Sequence, residues 1–397
     1  MSTRSPTTSR GGRSSGDRGG QRGAKAPAAP VDQTPAPRDR LPNHVEYDGR
    51  MSIAHPASSR QTDSLVTSRS VARGSLGLAG RVGVAILGFV LLACIATLPW
   101  SMGGVETGAT TLARYEASNL SLNLLPPIWQ SLGEQDATRL AAAREAGQYV
   151  PGRVLGTDRL GRDVLARLLA GGSISLLVGL SAAAIAVVVG TLYGTLAGAS
   201  GGRVDAVLMR IVDILFGLPS ILLVVLLAVA VDGFLERRGT DLSPVARQAI
   251  NIATLLVAIG GVSWLTMARV IRGQVLSLKA KPFMEACRAI GVSPARQFVA
   301  HLLPNLIGPI TVYAALAVPA AILSESFLSF LGIGVREPLP SWGNLAAEGL
   351  GELNTVQSRW WLLAAPCAAI ALTLVSLNFL GDELRERFDP MRGRRVA

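Results

Sequence analysis

Glu325 is the ionisable residue set deepest in any long apolar run of this chain. An acid in such a run is a functional candidate by default. A carboxylate there has two uses. It can meet an amine or guanidinium of a substrate or partner, or it can hydrogen-bond near the water at the end of the run. The sequence leaves both open. A second group of polar residues stands between two apolar runs: Glu285-Ala286-Cys287-Arg288-Ala289-Ile290-Gly291, then after nine residues His301-Leu302-Leu303-Pro304. Its chemistry is contact, since a rigid polar knob between two spans serves a purpose when something outside the bilayer grips it.

Covalent and phosphate chemistry find little support. The lysines are Lys25, Lys279 and Lys281, and none stands in the G-x-x-x-x-G-K-[ST] setting of an ATP-binding loop. Three histidines with no H-E-x-x-H argue against a metalloprotease, and Cys94, Cys287 and Cys367 lie too far apart for a zinc or disulfide framework. No catalytic residue, metal site or cofactor is expected on this chain.

The elements that must position these residues are membrane spans. Half the chain is hydrophobic (49%) and the mean hydropathy is +0.39, too apolar for an ordinary soluble protein. Charge-free windows predict six helices at 82–105, within 168–202, 214–231, 248–268, 306–331 and 360–381. The fold class is therefore an all-α polytopic membrane protein. Basic loops orient it. The N-tail, the 200–210 segment, the 269–304 loop and the C-tail are expected in the cytoplasm, so both termini are cytoplasmic. Segments 106–170, 232–247 and 332–359 are expected outside. Residues 1–75 are basic and poor in large apolar side chains, and they predict a disordered cytoplasmic tail. No aromatics interleave with its arginines, so nucleic acid is not an expected partner. Residues 76–392 form the spanning domain and 393–397 a short C-terminal tail.

Local signals shape the knob. Pro282 suits the first turn of a helix, Gly291 the left-handed residue that ends it, and Ser293-Pro294 the start of the next. Pro304 marks a further break. Ahead of the second span, Gly156-Thr157-Asp158-Arg159-Leu160-Gly161-Arg162-Asp163 reads as the capped start of an amphipathic helix on the outer membrane surface. Leu160, Val164, Leu165, Leu168 and Leu169 would lie on its apolar face, while Arg159, Arg162 and Arg167 would meet headgroups or a partner. Gly190, Gly194 and Gly198 form a small-residue row for close helix packing, either within the chain or against another.

These motifs resemble the dipeptide/oligopeptide (peptide/nickel) family of ABC importer permeases, in particular its C-type subunit. The resemblance rests on the 285–304 knob, on the segment from Gly156 to Asp163, and on Gly201-Gly202-Arg203-Val204-Asp205 with Met209-Arg210-Ile211-Val212-Asp213. It rests also on the stretch from Glu325 to Gly332, on Pro340-Ser341-Trp342-Gly343-Asn344, and on Gly381-Asp382-Glu383-Leu384 with Asp389-Pro390. Cys287 stands where the family pattern has alanine. The resemblance implies the type I importer permease fold in a bacterial plasma (inner) membrane. It implies a second homologous permease, two ATP-binding cassette subunits that hold ATP and Mg, and an extracytoplasmic solute-binding protein. Glu285, Ala286, Arg288, Gly291, Leu303 and Pro304 would dock the ATPase, and Glu325 would be a candidate for the substrate pathway. Arg336, Glu337 and Glu348 are expected as solvated loop charges or contacts for the binding protein. A nickel or other small-solute importer is the nearest alternative cargo reading. An ion-gradient transporter is the alternative of another class, and it calls for paired intramembrane acids that this sequence lacks.

Overall fold

The computed structural model describes residues 77–108, 110–237, 243–354 and 358–388. The two terminal tails and Asp389-Pro390 lie outside the described residues. Among the described residues helices predominate, with one short antiparallel hairpin of β1 (Gly104–Thr107) and β2 (Thr110–Ala113). Among the described residues, five stretches are long and apolar enough to cross a membrane. They are α1 (Leu78–Ala96) with α2 (Leu98–Ser101), α4 (Val164–Ser200), α7 (Pro244–Lys279), α10 (Leu303–Phe330) with the turn before it, and α12 (Trp360–Phe388).

The third predicted span needs correction. Residues 214–231 are not one helix. α5 (Gly202–Phe216) ends before Gly217, and α6 (Ser220–Arg237) starts after Pro219, with 86° between the two. Proline disfavours helical geometry in the residue before it, so Leu218 breaks the run. α5 is a separate amphipathic helix, and α6 with α5 makes a sixth, bent candidate span. The fourth span is longer than its charge-free window. α7 continues through Arg269 and Arg272 to Lys279, because ion pairs to α5 receive both arginines.

α4 is the central element. Asp163 caps its start, Oδ1 accepting from the N–H groups of Leu165 (2.9 Å) and Ala166 (3.2 Å). Its 37 residues span roughly 55 Å at the helical rise. α4 lies along α7 and also packs on α10, while α1 pairs with α12. The glycine row is what lets α7 come close. A Cβ at Gly190 would sit 2.5 Å from the Met267 Cβ, one at Gly198 2.8 Å from the Val275 Cβ, and one at Gly194 would overlap the Ala268 carbonyl. The row thus serves packing within the chain.

The two ends of α4 carry different structures. At its start lie the hairpin, α3 (Glu134–Glu145) and α11 (Trp342–Leu350), with a small core of Leu122, Leu125, Leu140 and Ala143. At the other end, α7 runs into α8 (Pro282–Ala289) and α9 (Pro294–Gln297), and a π-helical turn Phe298–Leu302 leads into α10.

Candidate functional site

The knob is built on α7. Met284 and Cys287, three apart on α8, are buried, and Met284 joins a core of Met267, Ile271, Val275, Leu278, Leu302 and Leu306 from α7 and the α10 start. Burying one such side chain stabilises by about 1.5–3 kcal/mol. That fixes α8 on α7 and turns its other face outward. Gly291 takes φ +77°, and the backbone closes as expected, with Val292 N–H on Cys287 O (3.0 Å) and Gly291 N–H on Arg288 O (3.1 Å). Ser293 makes no side-chain cap, so Pro294 alone starts α9. Pro304 falls in the first turn of α10, directly after the π turn.

Glu285, Ala286, Gly291, Leu303 and Pro304 are all exposed, and so is Arg288. Yet Arg288 is already occupied: its guanidinium donates to Lys279 O at the end of α7 and to Met284 O (3.2 Å). Sequence reasoning missed the apolar members of this surface. Ile290 is 78% exposed, Phe283 37% and Val299 61%. Large apolar side chains are thus exposed on the outside of this helical knob. The signal was present in the sequence, where Phe283 and Ile290 flank the polar residues.

Glu325 is fully buried (0%) rather than close to water. Ser329 Oγ donates to its Oε1 (2.7 Å) and Ser326 Oγ approaches its Oε2 (3.4 Å), with the hydroxyls of Ser175 and Ser341 close by. Each outlying serine is itself engaged. Ser175 Oγ accepts from Trp342 N–H, Ser329 Oγ from Val335 N–H, and Ser341 Oγ from Asn344 N–H as the cap of α11. A carboxylate has about four acceptor positions, and here hydroxyls from α4, α10 and α11 address it. Glu325 therefore joins three elements. It is absent from the lining of the apolar groove of about 390 Å³ between α6, α7 and α10, which Ile221, Ile259, Leu323 and Phe327 help form.

The segment from Gly156 to Asp163 is a tight loop, not the expected surface helix. Gly156 (φ +79°) and Gly161 (φ +71°) take left-handed turns, and Thr157 pairs with Asp163 across the loop. Helix starts only after Asp163, which outcompetes Thr157 and Asp158 as the cap because their side chains are used elsewhere. Thr157 Oγ donates to Leu122 O (2.7 Å) and accepts from Leu125 N–H (2.7 Å). Asp158 Oδ1 accepts from the backbone of Leu160 and Arg162, and its Oδ2 from Arg162 Nε and Arg167 Nη1, both at 2.6 Å.

Arg162 and Arg167 face inward as well, while Arg159 stays exposed. Arg167 is completely buried and also meets Glu348 through two bonds of 2.5 and 2.8 Å. Arg162 adds contacts to Glu337 (3.1 Å) and Glu348 (3.5 Å), and Arg159 pairs with Glu352. Glu348, expected as a loop charge, is thus a partner of α4. Such pairing across 181 residues of sequence leaves no local pattern to read.

Residues 190–393 match the family described as "Binding-protein-dependent transport system inner membrane component". The chain is 46% identical over 267 residues to the oligopeptide transport system permease protein OppC of Escherichia coli (strain K12), covering 67% of this chain and 82% of that relative. It is 44% identical over 236 residues to OppC of Haemophilus influenzae, covering 59% and 69%. It is 42% identical over 235 residues to the dipeptide transport system permease protein DppC of Bacillus subtilis (strain 168), covering 59% and 68%.

Proposed function

The chain belongs to the family of binding-protein-dependent transport inner-membrane components, and from that membership we propose that it is the permease subunit of an ATP-driven importer of dipeptides or oligopeptides. It is a multi-pass protein of a bacterial inner membrane and a transport subunit rather than an enzyme. The observation that carries the reading is the knob. α8 is rigidly seated on α7 and closed by a glycine turn, yet it presents Phe283, Glu285 and Ile290 outward.

In this reading the knob sits in the cytoplasm and docks into a separate ATP-binding subunit, which holds ATP and Mg. Two such subunits serve this chain and a second permease of similar fold. Nucleotide binding draws the docked knobs together, and α7 and α10, which pack on α8 and on each other, shift with them. A solute-binding protein delivers peptide at the α11 end. This chain forms and breaks no covalent bond; it converts displacement at one end into an opening at the other.

The test is uptake of a labelled dipeptide, a longer peptide and nickel in cells lacking this chain, with and without its restoration. Peptide uptake that returns with the chain is the expected result and gives the length class. Restored nickel uptake alone, or restoration of none of the three, overturns the cargo assignment.

A further inference from the structure

The inner half of α7 carries a row of cations that reach other helices. Arg272 grips Asp205 of α5 with both ends of its fork, Nε to Oδ1 at 2.5 Å and Nη2 to Oδ2 at 2.6 Å. One turn earlier, Arg269 Nη2 meets Asp213 Oδ1 at 2.8 Å, and its guanidinium lies 3.9 Å from the centre of the Phe216 ring. Further along, Lys279 Nζ donates to Gly198 O (3.1 Å) and Ala199 O (2.8 Å) at the end of α4. Read as sequence, these residues are charges that orient the loop. In the fold they are fasteners.

Their placement matters because of what lies on either side. α8 is bonded to the last turn of α7 through Arg288 on Lys279 O, and packed on it through Met284. α5 is held to α7 near both of its own ends, at Asp205 and at Asp213. α5 is joined to the base of α6 by only Gly217, Leu218 and Pro219. A planar guanidinium bound through two parallel hydrogen bonds resists rotation as well as separation, which a single point contact does not.

We propose that the Arg272–Asp205 pair, supported by Arg269–Asp213, is the strut through which displacement of the knob reaches α6. The inference rests on the permease reading above. α8 moves the end of α7, α7 carries α5 with it through the two ion pairs, and α5 swings the base of α6 about the Gly217–Pro219 break. Asp205 and Arg272 are positioning residues: they hold the lever and touch no substrate.

The test uses the assembled transporter, purified through this chain and reconstituted with its binding protein. Three quantities are read for each variant: the amount of assembled complex, ATP hydrolysis, and peptide imported per ATP. Asp205→Asn keeps a hydrogen bond but loses the two-pronged charge pair. It is expected to assemble and hydrolyse ATP as the wild type does, with peptide imported per ATP down about tenfold, towards the lower end of the usual range for coupling between sites. The exchange variant Asp205→Arg/Arg272→Asp is expected to recover most of the ratio. If Asp205→Asn does not assemble, Asp213→Asn carries the test, since that side chain is 59% exposed and its loss spares the core. An unchanged ratio in the variant that assembles, or import and hydrolysis falling in parallel, overturns the strut. A wild-type complex that imports no peptide counts against the permease reading instead.

Discussion

The two ends of α4 solve opposite problems with the same residue types. At its start, Arg162, Arg167 and Asp158 turn inward and pair with one another. Arg167 is enclosed by Asp158 and Glu348, and the loop before it is closed by Thr157 and two left-handed glycines. At the other end, α8 leaves apolar side chains exposed, Phe283 by 37% and Ile290 by 78%. The first end pairs its charges within one chain. The second leaves apolar side chains uncovered, as the proposed docking requires. Substitutions at the first should remove the protein, and substitutions at the second should remove its work.

The largest contrast is between two acids. Asp158→Ala removes one of the two carboxylates on the buried Arg167 guanidinium, the nearest one on Arg162, and the acceptor of two backbone N–H groups. Breaking a buried pair by removing one partner costs about 3–5 kcal/mol. The expected outcome is loss of the protein from the membrane fraction, read by immunoblot. Glu285→Ala removes an exposed side chain, and surface changes of that kind stay within about 0.5 kcal/mol. Its membrane level should match the wild type while peptide uptake falls. Equal membrane levels for the two variants would erase the distinction.

Two glycines in the same backbone conformation sharpen it. Gly161 (φ +71°) and Gly291 (φ +77°) both occupy the left-handed region, which costs a residue with a Cβ about 1–2 kcal/mol. Around Gly291 nothing lies within 4 Å of an added Cβ, so Gly291→Ala pays the backbone term alone. At Gly161 the new atom would overlap the Asn119 carbonyl, whose residue also donates its N–H to Gly161 O. Overpacking adds about 1–3 kcal/mol, so Gly161→Ala should cost about twice as much or more. Thermal unfolding midpoints in detergent would show it. Similar shifts for both variants would mean that the outer loop yields more readily than its packing suggests.

What the sequence disclosed follows the same division. The knob was legible because its rules are local: a proline starts a helix, a glycine ends it, and the two lie nine residues apart. The spans were legible from hydropathy, save where Pro219 split one and where α7 ran on past its arginines. The outer loop was misread for a physical reason. Leu160, Val164 and Leu168 do fall at helical spacing, but whether a helix begins at Thr157 or Asp163 depends on what competes for those side chains. The competitors are Leu122 and Leu125 for Thr157, both distant in sequence, and the arginines Arg162 and Arg167 for Asp158. Likewise Glu325 looked like a lone intramembrane acid until Ser175 of α4 and Ser341 of the α11 cap were folded onto it.

Asp163 gives the finest test of the claim that the outer end is closed to water. Burial pushes its carboxyl above the ordinary 3.8, against the opposing pull of the N–H groups of Ala166, Leu165 and Gly152 and of the Arg114 charge. Tyr149 is raised too, first by burial and then by the Asp163 charge itself. A group whose folded value is raised contributes stability that is fully present below its unfolded value and is lost as pH climbs through the folded one. Wild-type stability relative to Asp163→Asn should therefore decline as pH rises upward from the ordinary aspartate value. The asparagine keeps Oδ1 as an acceptor for Leu165 and Ala166 but cannot ionise. Thermal midpoints of the two proteins, measured across that interval and subtracted, isolate this one group from the other carboxylates. A difference that stays flat would mean that water reaches Asp163 and that the outer end is not sealed. A difference that widens with pH would mean that Arg114 and the backbone N–H groups outweigh burial. The decline expected here is small beside the loss of Asp158, because the cap accepts two backbone N–H bonds whereas Asp158 accepts four, two of them from buried arginines.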